Sequence, residues 1–391
     1  MQNGLKNKIN VAFLTRNSKT WLGGVNYFKN LFTAISLVNN PQINIFTFDS
    51  KDKTAKKVLK NFKLTYLKKD FRYRLDKFVT CLLKKDFDKN DYFFKRFKID
   101  IASHTFIDTN SIPVVTWIPD FQHIHLKEMF TEEELKFRDE SFQLQTKKSS
   151  LVILSSNDAL EDFKAFAPEY AEKGRVLRFV SIPDKNIYSK TDKIKNKVIE
   201  KYKLPEKYFY VPNQFWKHKN HKVILKAISI LKKQGLNIKV IFTGNTSDYR
   251  NLKHFEELTN YIKQEGIQDN VKILGIVDLI EVYYFMRNCV SIINPSKFEG
   301  WSSTVEEAKS IGKNIILSDL NVHKEQNPPE GIFFNPDNAE ELANILKSKW
   351  ETKNSEPDYE LEEQAKKLLP TRILEFGKQY QNILMEVLNK S

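Results

Sequence analysis

Short β-branched or aromatic runs alternate with amphipathic helical patterns along almost the whole chain. In the first half the runs are INVAFLT (9–15), INIFTF (43–48), IDIASH (99–104), PVVTWIP (113–119), LVILSS (151–156) and RVLRFVS (175–181). Helical spacing fills the intervals at 25–38, 131–148 and 157–166. A polar stretch over 182–200 interrupts the series and reads as a linker. The alternation then restarts with YFYVPN (208–213), IKVIFTG (238–244), NVKILGI (270–276), VSIINP (290–295), NIILSD (314–319) and GIFFNP (331–336). Helical patterns at 220–234, 249–265, 278–288, 303–311 and 338–350 separate these runs. Strands alternating with helices predict parallel sheets joined by crossover helices. The expected architecture is α/β, with two consecutive doubly wound domains over 1–190 and 191–370. The tail 371–388 reads as one amphipathic helix with no assigned packing partner. Ligands of such sheets gather beyond the carboxyl ends of the strands, so the cleft between two facing domains is the expected site.

Length agrees with this division, since 391 residues exceed what one core comfortably serves. An apolar share of 41% with 13% aromatics excludes general disorder. Cys81 and Cys289 are the only cysteines, too far apart in sequence for a zinc or disulfide framework, which points to a reducing compartment. The N-terminal apolar stretch suits a first strand better than a signal peptide, and no run approaches membrane-spanning length. A cytoplasmic location is therefore expected, with attachment to the inner face of the membrane left open.

Charge changes the picture in one place. The formal net charge is +14, and residues 51–98 alone hold 17 Lys/Arg against 6 Asp/Glu, interleaved with aromatics as in KKDFRYRLDKF and DYFFKRFK. A solvated lysine-rich helix face would account for this. So would attraction to an anionic membrane surface. No nucleic-acid-binding module accompanies the charge, so nucleic acid is not an expected partner.

The chemistry concentrates in FEGWSSTVEEAKSIGK (298–313). On one continuous helix Glu299 and Glu307 would stand about 12 Å apart along the axis and about 80° around it. A turn at Gly300, followed by a helix starting near Ser302–Thr304, would let both carboxylates approach one ligand. Glu307 is then expected in the first turn. Between them the amides of Trp301, Ser302, Ser303 and Thr304 would form an anion site reinforced by the helix dipole. Carboxylates accept from neighbouring hydroxyls, so the layout suits a molecule with phosphates in the middle and diols on both sides. Capping boxes at Ser303-x-x-Glu306 or Thr304-x-x-Glu307 are the bland alternative.

NPSKFEGWSSTVEEAKSIGKNIILSD (294–319) resembles the signature of the family 4 retaining glycosyltransferases. Pro295, Ser296, Glu299, Gly300, Trp301, Glu307, Ala308, Gly312, Ser318 and Asp319 fall on that motif in register. The resemblance implies the GT-B fold of two facing Rossmann-like domains, an N-terminal one for the acceptor and a C-terminal one for the nucleotide-sugar. It implies that Glu307 binds ribose hydroxyls, Glu299 meets the donor sugar, and the amides after Gly300 hold sugar and phosphate oxygens. YVPNQFWKHKNHKVILKAISILKK (210–233) is similar to the segment after the first donor-domain strand. There Lys219 would neutralise the leaving diphosphate, flanked by Asn213 and Gln214, and Gln214 replaces the family's usual arginine. Lys217 and His218 are the substitutes considered. Asn314 replaces a usual proline, and NVHKEQ (321–326) replaces a glycine-rich turn, as in a subset of polysaccharide-assembling members.

In the first half Gly23 and Gly24 resemble the glycine pair on the phosphate and acceptor side. Asp120 and His123, following the run at 113–119, resemble polar catalytic-site positions, with His125 more naturally structural. The function implied is transfer of a sugar from a UDP-, GDP- or ADP-sugar to a hydroxyl of a glycan or lipid-linked acceptor. The setting implied is assembly of bacterial O-antigen, capsule or exopolysaccharide. The sequence holds no convincing Asp-x-Asp metal site, so no metal and no cofactor are expected. A sugar-nucleotide 2-epimerase on the same scaffold and a non-catalytic membrane-associated scaffold are the alternatives.

Overall fold

The computed structural model describes residues 7–13, 22–48, 53–83 and 86–390. The chain begins with β1 (Lys8–Phe13), α1 (Leu22–Ser36), β2 (Gln42–Phe48), α2 (Lys53–Leu59), β3 (Leu64–Leu67), α3 (Phe71–Leu82) and α4 (Lys89–Phe97). It continues through β4 (Ile101–Ser103), β5 (Val114–Ile118), α5 (Gln122–His125), α6 (Glu132–Lys148), β6 (Leu151–Leu154), α7 (Asn157–Phe166) and β7 (Gly174–Val176). Two helices follow, α8 (Ile187–Lys193) and α9 (Lys195–Tyr202), and then β8 (Phe209–Val211), α10 (His221–Lys233), β9 (Val240–Phe242), α11 (His254–Gln264) and β10 (Val271–Ile273). The remainder is α12 (Leu279–Arg287), β11 (Ile292–Asn294), α13 (Ser303–Ile311), β12 (Ile315–Ser318), α14 (Asn321–Gln326), β13 (Ile332–Phe334), α15 (Ala339–Thr352) and α16 (Tyr359–Lys390).

Every strand pairing among the described residues is parallel. One sheet runs β3-β2-β1-β4-β5-β6-β7 and the other β10-β9-β8-β11-β12-β13. Each therefore winds outward in both directions from a central pair, β1/β4 or β8/β11, the order of a Rossmann sheet. Crossover helices on both faces require strands that are apolar throughout, and VVTWI and LVIL are buried at every position.

The chain divides into two compact units. The first takes Met1–Phe121, Glu132–Phe179 and Thr371–Ser391; the second takes Gln122–Thr131 and Val180–Pro370. The division at 179/180 precedes the expected boundary at 190, and 182–200 is no linker. Ile187, Thr191 and Val198 recur at helical spacing among the lysines and are buried in α8 and α9. Arg287 fastens α8 to the second unit. Its guanidinium donates to Glu362 at 2.5 and 3.1 Å and to Thr191 at 3.1 Å, pairs with Asp192, and lies over the Tyr188 ring.

The tail finds its partner in the first unit. Tyr380 is fully buried with its ring 6.1 Å from that of Phe13, and Gln381 donates to the Pro41 carbonyl at 2.7 Å. Glu386 takes a two-pronged pair from Arg175 of β7 at 2.5 and 2.8 Å. The close approach of α16 to α1 requires Gly377, where a Cβ would stand 2.5 Å from the Ala34 carbonyl oxygen. Helix α16 begins well before the expected 371 and carries Pro370 inside it.

Candidate active site

The site grows from the central strands of the second sheet, β8 and β11, on either side of the point where the strand order reverses. Beyond β8 the chain forms a loop that ends in a 3-10 turn over Lys217–Lys219. Asn220 follows in the left-handed region at φ 54°, a conformation asparagine tolerates better than most residues. Its side-chain amide donates to the Pro295 carbonyl at 3.1 Å and the Pro336 carbonyl at 2.8 Å, tying this loop to the ends of β11 and β13. The Lys297 amide donates to the His218 carbonyl at 2.8 Å.

Those tethers bring together two residues singled out in the sequence. Lys219 Nζ lies 2.6 Å from Glu299 Oε1, with the two side chains only 18% and 10% exposed. Ser296 Oγ stands 2.6 Å from the same oxygen. Burial acts to raise the Glu299 carboxyl. Lys219, His323 and the hydrogen bonds from Lys219 and Ser296 outweigh it and hold the group below its ordinary value.

After a bend at Gly300 and Trp301, helix α13 starts at Ser303 with Ser302 as its N-cap. Ser302 Oγ accepts from the Val305 amide at 3.5 Å and from Asn294 Nδ2 at 2.8 Å. Asn213 Nδ2 donates to Asn294 Oδ1 at 3.0 Å, and Thr304 Oγ1 donates to Asn213 Oδ1 at 3.3 Å. A line of amides thus locks the end of β8 to the first turn of α13. Asn213 is buried and spends its side chain in this lock. Neither anticipated capping box forms, because the cap is Ser302 and the residue three beyond it is Val305.

The two glutamates of α13 separate sharply. Glu306 is the first-turn acid, buried and engaged by Gln326 at 3.2 Å and Lys309 at 3.3 Å. Glu307 falls one position beyond the first turn in which it was expected. It is half-buried and, among the described residues, has no hydrogen-bond or ion-pair partner. Burial pushes its carboxyl up to about 7. A shielded carboxyl without a partner is costly in the empty protein and suits hydroxyl donors from a ligand.

The anion site is smaller than expected, since Ser302 N–H donates to Gln326 Oε1 at 3.1 Å. Ser303 and Thr304 offer the amides with no partner among the described residues. Gln326 also returns its Nε2 to the Ser302 carbonyl at 3.0 Å, so α14 braces the start of α13. In that helix His323 Nδ1 lies 2.8 Å from the Ser318 carbonyl oxygen. Its Nε2 is buried without a partner among the described residues. The sequence had marked NVHKEQ only as an unusual turn; a helix that closes on the site was not anticipated.

Gln214 is exposed and offers no cation in place of the missing arginine. His218 does not serve either. Burial first, then Lys219 and Arg250, push it well below its ordinary value, so it stays neutral. Arg250 is the buried cation beside this loop, over the rings of Trp216 and Phe130 and donating to Gln122 Oε1 at 3.0 Å. No pattern around YRN distinguishes it in the sequence.

Gly23 and Gly24 lie in the first turn of α1, and the residues before Leu22 fall outside those described. Asp120 stands just past the end of β5, half-buried. His123 is buried in α5, whereas His125 is exposed with its ring 5.3 Å from that of Phe298, next to Glu299. Of the two histidines, the one read as structural is thus the one set against the Glu299 loop.

Two Rossmann-like units in succession, with this constellation at the switch point of the second, define the GT-B class of fold. Residues 192–368 match the family Glycosyl transferases group 1. Over 135 residues the chain is 26% identical to the alpha-1,3/1,6-mannosyltransferase ALG2 of Dictyostelium discoideum, covering 32% of each. The match thus spans about a third of that curated relative's length. Among solved structures, Anabaena Alr3699/HepE in complex with UDP is similar at a TM-score of 0.65 and 17% identity, over 97% of this chain and 100% of that one. A glycosyltransferase from Rickettsia africae matches with the same score and identity over 98% and 100%. At these identities the structural likeness speaks for the fold.

Proposed function

We propose that the protein is a retaining glycosyltransferase that moves a sugar from a nucleoside diphosphate-sugar to a hydroxyl of a glycan or lipid-linked acceptor. The observation that carries this reading is the grouping, by β8 and β11, of Lys219, Glu299, the Ser303 and Thr304 amides and the unpartnered Glu307. The C-terminal unit binds the donor and the N-terminal unit the acceptor. Glu307 accepts from the ribose diol and Glu299 positions the sugar ring. Asp120 and His123 remain the further catalytic candidates, and Gly23 and Gly24 those for the phosphate and acceptor side. In the reaction the bond from the anomeric carbon to the diphosphate oxygen breaks, and the oxygen keeps the electron pair. The acceptor oxygen bonds to the same face of that carbon and passes its proton to the departing phosphate. Lys219 and the α13 amides meet the growing negative charge as fixed positive potential, the role a metal ion fills in other transferases. The mannosyltransferase activity of the Dictyostelium relative supports this class of reaction, and the UDP bound to HepE this class of donor.

The acceptor setting proposed is the inner face of a bacterial membrane during surface-polysaccharide assembly, with residues 51–98 against the anionic lipid surface. No described helix is long and apolar enough to cross a membrane. A thermal-shift panel of UDP-, GDP- and ADP-sugars without added metal tests the donor reading. One nucleotide series should raise Tm and be turned over on adding a glycan acceptor. If no member of the panel shifts Tm or is consumed, the reading fails.

A further inference from the structure

Among the described residues, helix α3 is fixed to the first unit by one face. Asp70 caps it and takes two hydrogen bonds from Arg96 at 2.6 and 2.9 Å. Tyr73 is buried with its ring stacked 5.4 Å from that of Phe93, and Asp76 accepts from the Tyr92 hydroxyl at 3.0 Å. The other face carries Phe71, Leu75, Phe78, Val79 and Leu82, all exposed, and Leu83 continues the stripe. Phe71 is 79% and Leu82 65% exposed, so these side chains do not merely rim a core. At about 100° per residue the five fall within roughly 100° of arc. Arg72 lies along one edge of that arc and Arg74 along the other, and Lys68 and Lys69 precede the helix, all exposed.

A continuous apolar stripe of this kind marks an interaction surface rather than scattered exposure. Its cover must be apolar in the middle and anionic on both sides. A second copy of the chain would bring 17 cations against 17 over the same segment, with few acids to relieve them. A nucleic-acid backbone would satisfy the cations and leave the leucines and phenylalanines in water. An anionic bilayer supplies both chemistries at the right depths.

We propose that α3 lies in the headgroup layer of an anionic bilayer, with Phe71, Leu75, Phe78, Val79 and Leu82 among the acyl chains and Arg72 and Arg74 at the phosphates. This sharpens, and rests on, the reading that residues 51–98 meet an anionic surface; it is independent of the donor chemistry. The mode is insertion, not adsorption by charge.

The test uses the full chain and vesicles of pure phosphatidylcholine or an equal mixture with phosphatidylglycerol. An environment-sensitive fluorophore is placed at Leu82→Cys in a Cys81→Ser background, because Cys289 is buried. On anionic vesicles the label should shift to the blue and resist an aqueous quencher. Phe71→Ser/Phe78→Ser should bind those vesicles at least about tenfold more weakly, with Tm and donor-induced shift unchanged. If the chain sediments with anionic vesicles while the label stays water-like and the double variant binds as well as the parent, insertion is overturned and charge-driven adsorption stands. If it sediments with neither vesicle type, both readings fall.

Discussion

Lys219 and Glu299 form the most exposed claim at the scale of single residues. The pair is shielded, so removing one partner leaves a charge without compensation, a change that costs about 3–5 kcal/mol when such pairs are broken. Lys219→Met should therefore lower unfolding stability by about 3 kcal/mol, and Lys219→Met/Glu299→Gln should recover part of it. Chemical denaturation of the four proteins measures this, and equal losses for single and double variants would separate the two residues. Glu307 offers a pH signature. The folded protein holds its proton up to about 7, while an ordinary glutamate releases it near 4.5. Between those values the native state binds more protons than the unfolded state, so this residue's contribution falls as pH rises, by on the order of 3 kcal/mol across the window. Glu307→Gln should remove that slope. Hydroxyl donors favour the ionised form, so donor affinity should weaken below about pH 7 in the parent and be flat in the variant. A parallel pH profile in both would refute the ribose assignment.

At the level of elements, α13 carries the site, and its two ends are fixed by different means. Gly312 closes it at φ 70°, and a Cβ there would stand 2.3 Å from the backbone of Leu361. Gly312→Ala should cost about 2–4 kcal/mol, from backbone strain and from pushing α16 away. An unchanged Tm would show that α16 yields without penalty. The glycine was legible in the motif, but the contact that demands it was not, because Leu361 is distant in sequence. The same limit explains Gln326 and Arg250. Each acts through a contact set by topology rather than by local pattern, whereas the strands and α13 announce themselves by period and spacing. Helices α8 and α9 were hidden by composition, since lysines dilute the apolar positions Ile187, Ile194 and Val198. Helices α2 to α4 and β3 were hidden likewise, inside a segment that drew notice only for its charge.

Across the whole molecule, the two parallel sheets followed from the alternation of runs, because a parallel pairing needs a crossover and the crossovers were visible. The ownership of the tail did not. Residues 371–391 complete the first unit although they end the chain. Deleting them removes the buried Phe376, Tyr380, Ile383, Leu384 and Val387 and uncovers the core they cover, Phe13 included, a loss on the order of 10 kcal/mol and comparable with total stability. Hydrogen exchange should then show β1 and α1 unprotected while α10 keeps its protection; protection of β1 without the tail would contradict the assignment. The central claim, that Lys219 and the start of α13 grip a diphosphate, is tested most directly by calorimetric titration. The nucleoside diphosphate that raises Tm most, and its parent nucleoside, are titrated into the parent protein and Lys219→Met. Diphosphate should bind at least about tenfold more weakly to the variant, with nucleoside affinity changed by less than about threefold. Equal diphosphate affinity in the two proteins would contradict the claim.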